Sequence, residues 1–140
     1  MTAKTLYTAN VHTVGGREGA AKSADGQLDV KLSLPGSNRP GTNPEQLFAA
    51  GWSACFEGAL GAAAKEAGIP LPAETAVDAE VNLNRGEQEG YFLTARLNVS
   101  IPGLADDVAQ KLIDRAHETC PYSKMTRGGI DASVRMAVAA

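Results

Sequence analysis

Short alternating runs of apolar and polar residues open the chain, a long apolar block follows, and two further alternating runs and an amphipathic segment lead to the end. Residues 5–14 (TLYTANVHTV) favour a strand and stop at Gly15-Gly16, a turn signal, with Arg17 directly after it. A short strand is predicted over 18–24. Residues 28–34 set Leu28, Val30, Leu32 and Leu34 against polar neighbours, the pattern of a half-buried strand. The segment 35–43 (PGSNRPGTN) is a loop. A helix is predicted from Pro44 to about Ala67, with Asn43 as N-cap, Pro44 at the first helical position, Glu45 at the positive end of the dipole, and Gly68 as its stop. Strands at 75–84 and 91–101 are joined by a turn from Arg85-Gly86 to Gly90. Residues 105–118 place Val108, Ala109, Leu112, Ile113 and Ala116 on one helical face. A short helical turn is predicted over 121–126 and a last strand over 131–138. Antiparallel strands around two helices make the fold class α+β.

The block Leu47 to Ala64 (LFAAGWSACFEGALGAAA) is apolar nearly all round and carries one charge, Glu57. It sits at the short limit for a membrane span, which takes roughly 20 residues. Ala and Gly dominate it, so it reads as a helix buried inside protein, with no membrane partner. A domain of 140 residues has little interior to hide such a helix. A second subunit is the simplest cover, and Gly51, Ala54, Gly58 and Gly61 form a small-residue ridge that permits close contact.

Composition narrows the class. The length suits a single domain over residues 1–140. A hydrophobic content of 44% and a charged content of 21% are those of a soluble globular protein. A formal net charge of −3 argues against nucleic acid as a partner. The start lacks the apolar core of a secretory signal, so the expected compartment is the cytoplasm. There a permanent disulfide between the two cysteines is not expected.

The cysteines carry the candidate chemistry. Cys55 stands in the middle of the apolar helix, where burial disfavours a thiolate. Cys120 precedes Pro121 and stands at the N-cap of a new turn, a place that favours a thiolate. On local grounds, therefore, Cys120 is the more reactive and Cys55 a packing residue. A zinc site from His12, Cys55, His117 and Cys120 lacks a second close-spaced ligand pair, so no metal is expected. Ser53 lacks the second glycine of a nucleophile elbow. Gly15-Gly16 and Gly128-Gly129 are turns and not phosphate loops.

Three segments together resemble the organic hydroperoxide resistance (Ohr) branch of the OsmC/Ohr family: LYTANVHTVGGREG at 6–19, GTNPEQLFAAGWSACFEGAL at 41–60, and CPYSKMTRGGID at 120–131. Gly129 departs from the family pattern, where Asn is expected. The resemblance implies an OsmC-like fold, with two antiparallel or mixed sheets packed around central helices in an intertwined homodimer. It implies a thiol peroxidase acting on organic hydroperoxides in the response to oxidative stress. Cys55 matches the peroxidatic cysteine, Cys120 the resolving cysteine, and Arg17 and Glu45 the polar pair that activates the thiol. The resemblance thus reverses the local ranking of the cysteines. No bound cofactor is implied; the family's reductant is a lipoylated protein or dihydrolipoamide. Glu45 and Cys55 stand ten residues apart, about 15 Å along a helix, so the helix bends or Glu45 serves the thiol of a second subunit. Phe48, Trp52, Tyr122 and Met125 are candidate walls for an alkyl or lipid peroxide. Two other readings stay open: a protein disulfide oxidoreductase, and a non-catalytic zinc or binding module.

Overall fold

The computed structural model describes residues 3–137. The chain divides into two compact units, with the boundary between Phe48 and Ala49.

The first unit is built on a three-stranded antiparallel sheet of β1 (Val11–Val14), β2 (Ala20–Ser23) and β3 (Asp29–Lys31), in that order. The register pairs Val14 with Ala20 and Lys22 with Asp29. A 3-10 turn at Gly16–Glu18 joins β1 to β2 and carries Arg17. Gly15 enters this turn at φ +78°, a left-handed conformation that favours glycine. At its exit, a Cβ on Gly19 would lie 1.8 Å from the Val14 carbonyl oxygen, so only glycine lets the chain fold back this closely. After β3 the loop returns to the sheet: the Thr42 amide donates to the Lys31 carbonyl at 2.9 Å.

Helix α1 (Pro44–Ala67) starts as its sequence dictates. The Gln46 amide donates to Asn43 Oδ1 at 2.9 Å, which confirms the predicted N-cap. At the other end Gly68 takes φ +70° and the Ile69 amide donates to the Ala64 carbonyl, closing the helix.

In the second unit, β4 (Ala76–Gly86) and β5 (Gly90–Ser100) form an antiparallel hairpin paired from Ala76↔Ser100 to Gly86↔Gly90. Arg85 and Gly86 belong to the strand rather than to the turn. Helices α2 (Asp106–Thr119) and α3 (Pro121–Thr126) follow, close to their predicted spans. The core joins Phe56, Leu60, Ala63 and Ala64 of α1 with Ile101, Leu112, Ala116 and Cys120. Gly51 admits the Tyr122 ring to the surface of α1, since a Cβ there would lie 2.7 Å from the phenol oxygen.

Two predicted strands differ from the structure. The first begins at Val11, and described residues before it have no regular structure. The last, expected at 131–138, is not formed over 131–137; residue 138 lies outside the described residues. A strand exists through its ladder, and this segment joins neither sheet. Its apolar side chains Val134 and Met136 are fully exposed.

Candidate active site

Two polar clusters stand out, one in each unit. In the first, the guanidinium of Arg17 grips the carboxylate of Glu45 with both arms, Nη1 to Oε1 and Nη2 to Oε2, each at 2.8 Å. This is the bidentate geometry that distinguishes Arg from Lys. The Arg17 hydrogen bond holds the Glu45 carboxyl below its usual range, against the opposing effect of burial. The Glu45 side chain is only 13% exposed and Arg17 is 40% exposed, so the acid is the anchor and the base the presented group.

In the second unit, the Cys55 and Cys120 sulfurs lie 3.3 Å apart, both as free thiols. Cys55 is part-buried in the middle of α1. Cys120 is wholly buried where α2 ends and α3 begins. Its amide still donates to the Ala116 carbonyl of α2, while its carbonyl accepts from the Lys124 amide of α3. Cys120 therefore belongs to both helices, and Pro121 sets the corner.

The two thiols are polarised in opposite directions. Burial pushes the Cys55 thiol up, the Tyr122 amide opposes this, and neighbouring Cys120 adds to the rise. Burial also raises Cys120, but four donors outweigh it: the Ser123 amide, the Cys55 thiol, the Ser123 hydroxyl and the Tyr122 amide. Its pKa is lowered on balance.

Around the pair, the Trp52 indole donates from Nε1 to Ser123 Oγ at 3.1 Å, and Trp52 and Tyr122 pack against the core. Met125 and Phe48 are part-buried, the first in α3 and the second at the end of the first unit. A cavity of about 290 Å³ is lined by Trp52, Phe56, Leu97, Val99, Ile113 and His117, and by neither cysteine. Among the described residues no group of three or more His, Cys, Asp or Glu side chains is placed to hold a metal ion. Ser123 was given no role by sequence reasoning, although its place three residues after Cys120, in the first turn of a helix, is the available signal.

The family described as OsmC-like protein matches residues 35–135. An organic hydroperoxide resistance protein of Xanthomonas axonopodis pv. citri is 45% identical over 138 residues, covering 96% of each chain. The chain belongs to the OsmC-like family, in its organic hydroperoxide resistance branch. Solved structures agree with this family placement. The crystal structure of the organic hydroperoxide resistance protein OhrB of Bacillus subtilis superposes with a TM-score of 0.83 at 44% identity, covering 91% of this chain and 96% of that one. A putative organic hydroperoxide resistance protein from Vibrio cholerae, with a molecule of captopril bound in one of the active sites, gives a TM-score of 0.83 at 38% identity, covering 94% and 92%. The OsmC-like fold expected from the resemblance is thereby established, with two small antiparallel sheets and helices.

Proposed function

We propose that this protein is a cytoplasmic thiol peroxidase that reduces organic hydroperoxides to alcohols. The observation that carries the reading is the pair of free thiols 3.3 Å apart, in a chain whose relatives are named for organic hydroperoxide resistance. In the first step the Cys55 thiolate attacks the distal peroxide oxygen; the O–O bond breaks, the alkoxide leaves and takes a proton from solvent to become the alcohol, and Cys55 becomes a sulfenic acid. The Cys120 thiolate then attacks that sulfur, an S–S bond forms, and hydroxide departs. A dithiol such as dihydrolipoamide, or a lipoylated protein, reduces the disulfide by exchange.

Cys55 needs help for the first step, because its surroundings raise its pKa. Arg17, fixed by Glu45, is the charge suited to stabilise the thiolate and the departing oxygen. Ten residues of one helix separate Glu45 from Cys55, a rise of about 15 Å. We therefore assign the working site to a homodimer in which the Arg17–Glu45 pair of one protomer serves the thiol of the other.

Turnover of cumene hydroperoxide with dihydrolipoamide, followed by peroxide consumption, tests the reading. Cys55→Ser is expected to abolish turnover. Cys120→Ser is expected to allow one round of sulfenic acid formation, trapped by dimedone, with recycling lost. Undiminished turnover in Cys55→Ser rules the reading out.

A further inference from the structure

Three contacts join the stretch of α1 around Cys55 to the Cys120 corner and α3, and they run in antiparallel order. Cys55 meets Cys120 with 3.3 Å between the sulfurs. Trp52, three residues before Cys55, donates from Nε1 to the Oγ of Ser123, three residues after Cys120, at 3.1 Å. Next to it Gly51 lies against Tyr122, where a Cβ would come within 2.7 Å of the phenol oxygen. Three helical residues rise about 4.5 Å, so the Trp52–Ser123 bond stands just under one helical turn from the sulfur pair. An indole N–H donates and cannot accept, so the serine oxygen is the acceptor. Ser123 and Cys120 have no exposed surface. The sulfurs already stand within the separation of a near-attack geometry, about 3–3.5 Å, and an S–S bond of about 2.05 Å needs only a small further approach.

We propose, on the peroxidase reading, that the Trp52–Ser123 hydrogen bond is a clasp between α1 and α3 that holds Cys120 within reach of Cys55, which makes Trp52 and Ser123 positioning residues for disulfide closure. In that step the Cys120 thiolate attacks the sulfur of the Cys55 sulfenic acid. The S–S bond forms, the S–O bond breaks, and the departing hydroxide takes up a proton to become water. Trp52 and Ser123 act through the helices they join and take no part in bond making. Closure competes with a second hydroperoxide, which carries a sulfenic acid on to sulfinic acid. By keeping the sulfurs together, the clasp protects Cys55 from overoxidation. Gly51 contributes by letting Tyr122 lie close against α1.

Closure can be timed without peroxide. The neutral reagent 4,4′-dithiodipyridine forms a mixed disulfide on the part-exposed Cys55 and releases one thiopyridone. Cys120 then expels the second, in a phase whose rate is independent of reagent concentration. Trp52→Phe keeps a ring and removes the donor; Ser123→Ala removes the acceptor. Each is expected to slow closure by about tenfold, the scale of one hydrogen bond. The double variant is expected to be no slower than either single, because both remove the same bond. Sulfinic acid on Cys55, read by mass spectrometry, should appear at lower cumene hydroperoxide in both single variants. Closure at the parental rate in folded Trp52→Phe overturns the proposal, and so do losses that multiply in the double variant. A bond that serves fold stability alone gives the first of these results, a lowered melting temperature with closure unchanged. Trp52→Phe decides the matter by itself where Ser123→Ala fails to fold. Failure of the peroxidase reading is seen separately, as turnover that survives Cys55→Ser, and leaves the closure measurement intact.

Discussion

Glu45 shows how one residue links a helix start to a charge elsewhere in its unit. It occupies the first turn of α1, where the dipole favours an anion, and both its oxygens are held by Arg17. Its folded pKa is lowered, so the stabilisation is fully present above the unfolded glutamate value, about 4.3. It is lost only as pH falls through the lower folded value. Glu45→Gln is therefore expected to reduce thermal stability at pH 7 relative to the parent. The difference between the two proteins should shrink progressively below about pH 4.3, and melting curves at pH 7 and pH 3 measure it. A difference that stays constant between those pH values sinks the assignment. Neutral Gln also leaves Arg17 without its bidentate acceptor, and peroxide turnover is expected to fall by roughly tenfold or more, the scale of a lost charge-assisted hydrogen bond.

Among the elements, the turn that carries Arg17 is the most constrained. Gly19→Ala sets a methyl against the Val14 carbonyl, a backbone atom that cannot step aside. The 3-10 turn must shift, and Arg17 with it. Peroxidase turnover is expected to fall severely, while diamide still closes the Cys55–Cys120 disulfide at the parental rate, because both thiols sit in the other unit. Full turnover in this variant dissociates Arg17 from the chemistry. Elements such as α1 were legible because their signals are local: Asn43, Pro44 and Gly68 each act within a turn of their own position. The resemblance named Arg17, Glu45, Cys55 and Cys120, but the meeting of two cysteines 65 residues apart is a property of how α1, α2 and α3 pack, and no spacing rule encodes it. Ser123 escaped for a related reason. It accepts a hydrogen bond from Trp52, 71 residues away, a contact no local pattern encodes. The strand expected at 131–138 shows the opposite failure, since Val134 and Met136 alternate correctly but pattern alone does not supply a ladder.

At the scale of the whole molecule, what is left uncovered has a consistent character. Helix α1 is long and apolar enough to cross a membrane by length and composition, and only 22% of its most apolar stretch is buried. A Cβ added at Gly58 or Gly61 would meet nothing within 4 Å, so the small-residue ridge is open over that part, while Tyr122 covers it at Gly51. Leu6 and Tyr7 near one end, Val134 and Met136 near the other, and Tyr91, Phe92 and Leu93 of β5 are all exposed. Exposed apolar surface on this scale marks an interaction site. Among the described residues, hairpin edges without a second strand neighbour and segments with strand patterning but no ladder complement one another, which favours a second copy of the chain over a bilayer. The protein is expected to run in solution at twice its 14.5 kDa chain mass. The double variant Val134→Glu, Met136→Glu changes side chains that bury nothing within one chain, so each chain should keep its fold by circular dichroism. The pair should nonetheless dissociate, and peroxide turnover should drop by at least about tenfold, the cost of losing one charge-assisted contact to the thiolate. Light scattering at micromolar concentration decides the matter: a parent of 14.5 kDa removes the dimer, and a dissociated variant with full turnover removes the shared site while leaving the thiol pair in place.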